Sequence, residues 1–341
     1  MGKYFKVDPN NISMSAIDYA VKVLEKGGLV AFPTETVYGL GADAFNPSAI
    51  KKIFMVKNRP IDNPLIVHVG RKDEIYSLAE EVSEDAEKLI EKFWPGPLTL
   101  IFYKSSLVND IITAGSEKVA IRQPSHPVAL ALLKAFGRPI PAPSANLSGR
   151  PSPTKAEHVL EDLGDRIDVI LDGGEVVYGL ESTVLDLTEE EPIILRPGAC
   201  TKEDIEKVLG KKINVWRRSD KNEKVPSPGL KHRHYAPKVP LYIIDEFNDT
   251  WKNRILKWLE EGKKVGALVS EEYRSFYPNS VKLLVVGSRK NLPSIAVNLF
   301  SGMRMLEDEV DIILSESYPL EGIGLAIMDR LIRASKNLEG E

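Results

Sequence analysis

The segment that most constrains the fold of this 341-residue chain is an irregular stretch from about residue 211 to 239. Its sequence, KKINVWRRSDKNEKVPSPGLKHRHYAPKVP, is rich in charge, proline and glycine and has little apolar periodicity, which is typical of a linker. Helix and strand patterns alternate on both sides of it, and a chain of this length favours about two domains. We therefore predict a first domain over 1–212, a linker over 213–239 and a C-terminal domain over 240–341.

The region before the linker predicts a twisted, mixed α/β sheet. SMSAIDYAVKVLEKGG has helical apolar spacing, and NPSAIKKIFMVKN pairs a capping Asn46 with Pro47 at the first helical position. Further helices are expected around 83–93, 127–136, 154–163 and 201–209. Strand candidates are LVAF, PLIVHV, LTLIFY, VAIR, PIPAP, DVIL, STVLDL and PIILR. Several of these strands follow one another without a helix, so a purely parallel sheet is not expected.

The region after the linker alternates strand and helix regularly. LYIID, VGALVS, VKLLVVG and DIILSES are the strand candidates, and helices are expected over TWKNRILKWLEEG, residues 291–309 and GLAIMDRLIRASKN. This alternation of strands and helices predicts a smaller, Rossmann-like domain with a mainly parallel sheet.

Composition excludes several classes of function. The net charge of −4 argues against a strongly basic nucleic-acid footprint. The single cysteine, Cys200, excludes an internal disulfide and a cysteine zinc cluster. No apolar run approaches the ~18 residues of a membrane span, and MGKYFKVDPNN lacks the apolar core of a signal peptide. A cytoplasmic protein with no membrane partner is expected.

Familiar catalytic motifs are missing from the sequence. GEVVYGLES lacks the Lys-Ser pair of a phosphate-binding P-loop, and there is no GxGxxG after a strand, no HExxH and no GxSxG. His232 and His234 form an HxH without acidic or thiolate neighbours, so they do not predict a metal site.

Two stretches suggest an anion site. Lys57 and Arg59 stand at the end of a predicted helix, where basic residues could equally well complement the helix dipole. PAPSANLSGRPSPT follows a predicted strand, and its hydroxyls, amide and small residues could wrap phosphate oxygens or form an ordinary turn. Its candidate residues are Ser144, Asn146, Ser148 and Ser152.

A third stretch, FPTETVYGLG, predicts the wall of a pocket, because an apolar strand opens into Thr-Glu-Thr. Arg122 in VAIRQP and His68 in LIVHV are polar residues at the ends of apolar strands, where a charge is costly unless it is paired. Arg122 suits a carboxylate, which guanidinium binds bidentately, although either residue could be a satisfied core residue. Ser182 and Arg196 also lie at predicted strand ends.

These motifs together resemble the YrdC-type L-threonylcarbamoyl-adenylate synthases. The resemblance rests on FPTETVYGLG, KNRPIDNPL, the KxR and SxN pairs, VAIRQPSHP, ESTVLDL and ILRPGA, in that family's order. SPGLKHRHYAP and GIGLAIMDRLIRAS resemble the long, two-domain branch, so the match spans nearly the whole chain.

The resemblance implies synthesis of threonylcarbamoyl-AMP and pyrophosphate from L-threonine, bicarbonate or CO2, and ATP with Mg2+ on its phosphates. The product would serve threonylcarbamoyladenosine formation beside the tRNA anticodon. Implied partners are a downstream threonylcarbamoyl-transfer complex and tRNA, the latter through weak or indirect contact.

The resemblance also implies roles for individual residues. The expected catalytic residues are Lys57 and Arg59, without a covalent nucleophile. ATP would be bound by Lys57, Arg59, Asn63, Lys118, Ser144, Asn146, Ser152, Arg196, His234 and Tyr235. Threonine would be bound by Thr36, His68, Arg122, Ala142 and Ser182. No protein ligands to a metal are expected, and SPGLKHRHYAP would be a lid, with a plain spacer as the alternative.

Four positions depart from the family pattern. Asn58 stands where a third basic residue is frequent, and Lys118 where a small hydroxyl residue is common. Leu230 and His232 stand in the linker where Met and Tyr are often found. Two rival functions remain: an RNA-binding module, disfavoured by the acidic charge, and carbamoyl transfer in hydrogenase maturation, which requires cysteine-rich zinc motifs.

Overall fold

The computed structural model describes residues 2–216 and 234–336, which fall into two compact units. The first unit comprises 2–148, 153–177 and 181–216, and the second comprises 149–152, 178–180 and 234–336. Linker residues 217–233, including Leu230 and His232, lie outside the described part of the chain. None of the described helices is long and apolar enough to cross a membrane.

The first unit contains two sheets and the helices that cover them. Its strands are β1 (Lys3–Lys6), β2 (Val30–Phe32), β3 (Gly39–Gly41), β4 (Ile66–His68), β5 (Leu98–Tyr103), β6 (Lys118–Arg122), β7 (Ile140–Pro141), β8 (Val169–Asp172), β9 (Thr183–Asp186), β10 (Ile193–Arg196) and β11 (Asn214–Val215). Its helices are α1 (Met14–Glu25), α2 (Pro47–Lys57), α3 (Ile75–Leu78), α4 (Glu84–Phe93), α5 (Asp110–Thr113), α6 (Pro127–Phe136), α7 (Ala156–Leu163) and α8 (Lys202–Leu209), with a 3-10 turn at Lys72–Glu74.

Both sheets of the first unit mix parallel and antiparallel pairs, as predicted. The smaller sheet has the order β1-β8-β2-β3, and the seven-stranded sheet has the order β11-β10-β9-β5-β6-β4-β7. Strand β4 pairs parallel with β6 and antiparallel with β7. This register places His68 opposite Arg122, at the end of the sheet where the candidate pocket lies.

Helix α2 forms where its capping residues predict it. The Asn46 side chain accepts a hydrogen bond from the Ala49 N–H at 3.1 Å, and Pro47 is the first helical residue. Ala49, Ile50, Ile53 and Phe54 are buried, so one face of the helix packs on the core. The helix ends at Asn58, whose φ of 51° is left-handed, a conformation that asparagine tolerates better than most residues.

Two segments differ from the predictions. Residues 39–41, which are not among the strand candidates, form β3 and pair antiparallel with β2, because the turn at 33–38 reverses the chain. Thr34 closes this turn with a hydrogen bond from its hydroxyl to the Val37 carbonyl at 2.6 Å. Asn214 and Val215, inside the expected linker, pair with β10 as strand β11, so the sheet continues past residue 212.

The second unit has a parallel four-stranded sheet, which confirms the predicted Rossmann-like pattern. Its strands are β12 (Leu241–Ile244), β13 (Val265–Ser270), β14 (Lys282–Gly287) and β15 (Ile312–Glu316), in the order β12-β15-β13-β14. Its helices are α9 (Asp249–Glu260), α10 (Leu292–Glu307) and α11 (Gly322–Ala334), with a 3-10 segment at Glu271–Phe276.

The second unit also incorporates two short segments, 149–152 and 178–180, that precede the linker in the sequence. The Arg304 guanidinium on α10 donates a hydrogen bond to the Pro151 carbonyl at 2.7 Å, and Arg150 pairs with the buried Glu307 carboxylate. Leu180 belongs to the same apolar cluster as Phe300. Sequence patterns gave no indication of this interleaving, because each segment is only three or four residues long.

Candidate active site

Arg122 is the centre of a buried polar cluster at the end of β6. Its side chain donates to the Gly96 carbonyl at 3.1 Å, the Thr36 hydroxyl at 3.0 Å and the Glu35 carboxylate at 2.7 Å. The other oxygen of Glu35 accepts from the Ser125 N–H at 3.0 Å. Because Arg122 and Glu35 are each about 3% exposed, their pairing offsets the cost of burying both charges. One N–H on each terminal nitrogen of Arg122 has no hydrogen bond among the described residues.

His68 lies beside this cluster as a neutral imidazole. Burial, reinforced by the positive charge of Arg122, lowers the pKa of His68 to about 3. The ring packs edge-on against Phe32, with centroids 6.1 Å apart. Its Nδ1 atom is buried and has no hydrogen-bond partner within the described ranges. A buried polar atom without a partner is costly, so His68 is poised to bond a small molecule.

Ser182 and Arg196 meet where β9 and β10 approach. Arg196 donates to the Ser182 hydroxyl and carbonyl, both at 3.1 Å, and the Ser182 hydroxyl lies 2.8 Å from that of Thr99. Gly198 permits this approach, because a Cβ there would lie 2.4 Å from the Thr183 nitrogen and 2.5 Å from the Glu181 carbonyl oxygen. These backbone atoms leave no room for a side chain.

Lys57 links helix α2 to the SxN stretch. Its ammonium group donates to the carbonyls of Ser144 and Asn146, and it is only 1% exposed. Burial, followed by the charge of Arg59, holds the pKa of Lys57 well below its usual value, while Asp162 acts in the opposite direction. The Lys57 carbonyl in turn accepts from the Ser148 N–H at 2.9 Å. Among the described residues, backbone oxygens therefore hold the lysine, and no carboxylate is hydrogen-bonded to its ammonium.

Arg59 folds over the turn that follows the helix. Its Nε donates to the Asn63 carbonyl at 3.1 Å, and a terminal nitrogen donates to the Pro64 carbonyl at 2.8 Å. Asn63 is 3% exposed, so this turn is part of the packed structure. The KxR pair is thus built into the turn, which argues against the simple dipole interpretation.

The stretch at residues 142–146 connects the pocket to the anion site. The Ala142 N–H donates to the Ile66 carbonyl at 2.9 Å, next to the strand end that carries His68. The Leu40 N–H donates to the Pro143 carbonyl and the Ala145 N–H donates to the Tyr38 carbonyl, both at 2.8 Å, and Ser144 forms a bridge with Gly39. Consequently the Thr-Glu-Thr turn, the SxN stretch and the helix carrying Lys57 form one continuous wall.

Lys118 lies at the beginning of β6, at the opposite end of the strand from Arg122. Its ammonium pairs with Asp186 at 3.1 Å and Glu189 at 2.6 Å. Together with Pro64 it lines a shallow cleft of about 330 Å³, part of which is open solvent. The Arg59 bond to Pro64 therefore brings this cleft next to the KxR turn.

Three predicted ATP-binding residues, Ser152, His234 and Tyr235, belong to the second unit. Tyr235 is 6% exposed and packs against Phe300, with ring centroids 5.3 Å apart. The Ala236 N–H donates to the Gly149 carbonyl at 2.8 Å, so the described end of the HYAP motif contacts the segment that contains Ser152. This contact gives the motif a structural role beyond that of a spacer.

Glu35 and Thr34 are two further site residues that the sequence patterns did not indicate. Both are buried, at 3% and 2% exposure, in the turn whose Thr36 was predicted. The sequence does contain a signal for Glu35. An acidic residue that follows a buried strand needs a cationic partner, and Arg122, at the end of another buried strand, can be that partner.

The first unit has two cations, Lys57 and Arg59, on the KxR turn and no cluster of metal ligands among its described residues. Within its described residues, no three His, Cys, Asp or Glu side chains bring ligand atoms close enough to hold a metal ion.

Comparisons with known proteins match both regions of the chain. A family model described as telomere recombination, for the Sua5, YciO and YrdC proteins, matches residues 22–198. A second model, described as the C-terminal domain of threonylcarbamoyl-AMP synthase, matches residues 200–336. The chain is 48% identical over 322 residues to the threonylcarbamoyl-AMP synthase of Bacillus subtilis, covering 92% of that protein and 94% of its own length. The chain belongs to the threonylcarbamoyl-AMP synthase family.

Two further comparisons within the threonylcarbamoyl-AMP synthase family cover nearly the whole chain. The Pyrococcus abyssi synthase is 45% identical over 325 residues, with 94% of each chain covered. A crystal structure of P. abyssi Sua5 complexed with L-threonine matches this fold with a TM-score of 0.91 and 44% identity, over 98% of this chain and 97% of that one. The predicted family and fold class are therefore confirmed.

Proposed function

We propose that this chain makes threonylcarbamoyl-AMP and pyrophosphate from L-threonine, bicarbonate or CO2, and ATP. The observation that carries the proposal is the continuous wall joining Arg122 and His68 to Lys57 through residues 142–146. A carboxylate-binding pocket and a cationic turn on one wall suit a reaction between an amino-acid derivative and a triphosphate. The family relationship supports the same reaction.

Threonine would occupy the pocket around Arg122. The N–H groups that remain on the two terminal nitrogens of Arg122 would fork onto the α-carboxylate. The neutral His68 would accept a hydrogen bond at Nδ1, which has no partner among the described residues. The residues proposed to fix the amine, hydroxyl and new carboxylate are Thr36, His68, Ser182 and the backbone at Ala142. Glu35 would position Arg122 and hold its charge.

The carbamate would form on the threonine amine, and its oxygen would attack the α-phosphorus of ATP, releasing pyrophosphate. Lys57 and Arg59 would stabilise the negative charge shared by the carbamate and the triphosphate. The residues proposed to bind the nucleotide are Asn63, Lys118, Ser144, Asn146, Ser152, Arg196, His234 and Tyr235. A pocket lined by residues below 5% exposure also limits water, which would hydrolyse a labile carbamate.

Mg2+ would enter on the triphosphate and neutralise charge on its oxygens when bound. We place the reaction in the cytoplasm. The product would pass to a threonylcarbamoyl-transfer complex that modifies tRNA next to the anticodon. The contact of this chain with tRNA itself would be weak or indirect. The segment 213–239 is proposed as a lid between a catalytic domain and a C-terminal domain, with the boundaries given above.

The test is to incubate the protein with ATP, bicarbonate and L-threonine and detect threonylcarbamoyl-AMP by mass spectrometry. Pyrophosphate release should require bicarbonate and should fall about 100-fold or more in Lys57→Met and Arg122→Met proteins, because each removes a charged contact to a reactant. Exposed Arg71 provides the control: Arg71→Met should keep full activity. The proposal would be refuted if pyrophosphate release did not require bicarbonate and kept its wild-type rate in both variants.

A further inference from the structure

The second unit has a cleft of its own at the carboxyl edge of its parallel sheet. The cleft has about 260 Å³ of space, part of it open solvent. Asp245 follows β12, Tyr273 and Tyr277 follow β13, Arg289 follows β14, and Glu316 ends β15, and all five line the cleft. Loops after all four strands therefore contribute, and open parallel sheets bind ligands outside this edge.

Arg289 forms hydrogen bonds from only one terminal nitrogen of its guanidinium group to the described residues. The rings of Tyr273 and Tyr318 flank it, with their centroids 5.0 and 5.2 Å from the guanidinium carbon. One terminal nitrogen donates to the Glu316 carboxylate at 2.8 Å and the Ser317 carbonyl at 3.0 Å. The Nε atom and the other terminal nitrogen have no hydrogen bond in the described ranges, and this edge has the geometry that a carboxylate binds bidentately.

The two carboxylates of the cleft differ in their contacts. Glu316 is 3% exposed and accepts hydrogen bonds from the Ser270 N–H, the Ser270 hydroxyl and Arg289, so its oxygens are occupied. Asp245 is exposed, and its side chain makes no hydrogen bond or ion pair with any described residue. The cleft thus offers one open cationic edge and one open carboxylate.

Tyr277 supplies a second sign of a missing ligand. It is 6% exposed, lines the cleft, and its hydroxyl is buried with no hydrogen-bond partner among the described residues. Leaving a buried hydroxyl unpaired is unfavourable, and such groups usually have an explanation in a bound molecule.

We propose that this cleft binds a small α-amino acid, distinct from the substrate site. The α-carboxylate would sit on the open edge of Arg289, the ammonium group on Asp245, and the Tyr277 hydroxyl would complete the contacts. A simple anion would face Asp245 and a simple cation would face Arg289, so a zwitterion matches both charges. Glycine, alanine and serine are the smallest amino acids that carry both charges, so they are the first ligands to test.

Equilibrium dialysis of the full-length protein against radiolabelled glycine, L-alanine and L-serine tests this proposal without the substrate threonine. At least one probe should bind with one equivalent per chain. Arg289→Met and Asp245→Asn should each weaken its binding roughly 10- to 100-fold, since each removes a charge-assisted contact. Acetate and ethylamine, each carrying one of the two charges, should compete far less well than the amino acid.

Three variants make the test specific. Arg274→Met removes an exposed arginine of the neighbouring 3-10 segment and should leave binding unchanged. Arg122→Met alters the proposed threonine pocket and should also leave it unchanged. Tyr277→Phe removes a hydroxyl that no described residue bonds, so it should fold normally and still weaken binding. No binding of any probe at about 10 mM, loss of binding in Arg122→Met, or unchanged binding in Tyr277→Phe and Asp245→Asn would overturn the proposal.

Discussion

Lys57 illustrates how a single buried charge can be set up for an incoming anion. Carbonyl oxygens hold its ammonium group, and burial with the neighbouring Arg59 lowers its pKa. An approaching triphosphate adds negative charge, which favours the protonated form and so raises the pKa. The lysine should therefore bind a proton as it binds ATP.

This proton uptake is measurable by calorimetry. Between about pH 8 and 9.5, where ATP phosphates are already ionised, ATP binding to the wild-type protein should take up a fraction of a proton, because binding moves Lys57 toward its charged form. Titrations in buffers of different ionisation enthalpy give the number of protons. The Lys57→Met protein should show none, and equal uptake in both proteins would contradict this account.

His68 should make the fold sensitive to acid. Its pKa is about 3 in the folded protein and 6.5 in its ordinary state, so the unfolded chain binds the proton first. Its contribution to stability is complete above pH 6.5 and is lost as pH falls from 6.5 toward 3, by about 1.4 kcal/mol per pH unit. Urea unfolding of His68→Gln at several pH values should show a correspondingly shallower acid loss. Identical pH slopes for the two proteins would exclude this role.

At the scale of elements, the end of helix α2 explains why Asn58 interrupts the basic cluster. Its left-handed φ of 51° permits the turn that brings Arg59 back to the carbonyls of Asn63 and Pro64. A third basic residue at this position would gain charge but would have to adopt a strained backbone.

Substitution at position 58 should separate these two effects. Asn58→Lys should lower the free energy of unfolding by about 1 kcal/mol, because lysine has no local compensation for a left-handed φ. Asn58→Gly should stay within about 0.5 kcal/mol of wild type, since glycine adopts this conformation freely. Chemical denaturation measures both values, and equal stability of the two variants would rule out backbone strain as the reason for asparagine here.

Local signals predicted most of the elements and the residues that follow them. The cap at Asn46, the apolar runs of the strands and the glycine stops are short-range features, so α2, β4 and β6 appear where the sequence places them. Partner choice was harder to predict. Glu35 pairs with Arg122 across 87 residues of sequence, and nothing local specifies that pairing. The candidate site residues came from the resemblance to the family. How strongly each one contributes depends on its burial, which only the fold shows.

At the scale of the whole molecule, the two units are interleaved in sequence. The pair between Arg150 and Glu307 joins positions 157 residues apart, and the Glu307 side chain is fully buried. Burial raises the pKa of Glu307, and the Lys238 N–H and the charge of Arg150 both oppose that rise. The backbone N–H of Lys238 also donates to Glu307, at 2.7 Å.

A double-mutant cycle should expose this long-range coupling. Arg150→Met alone should cost about 3 kcal/mol or more in the free energy of unfolding, because it leaves a buried carboxylate. Adding Glu307→Gln should recover about 1 to 3 kcal/mol of that loss. Urea unfolding of the four proteins gives the coupling, and strictly additive effects would contradict it. The exposed pair Lys257 and Glu261 is the matched control, expected to couple by about 0.5 kcal/mol or less.

The segment 149–152 has a consequence for how the protein is made. Its partner Arg304 lies 153 residues beyond Pro151. At about 5 to 20 residues per second, a ribosome needs roughly 8 to 30 seconds to travel between them. A nascent chain can complete the Thr-Glu-Thr turn and helix α2 early, but the contacts that hold Ser152's segment must wait for α10. The last part of the SANLSGRPS stretch therefore takes its final place only near the end of synthesis.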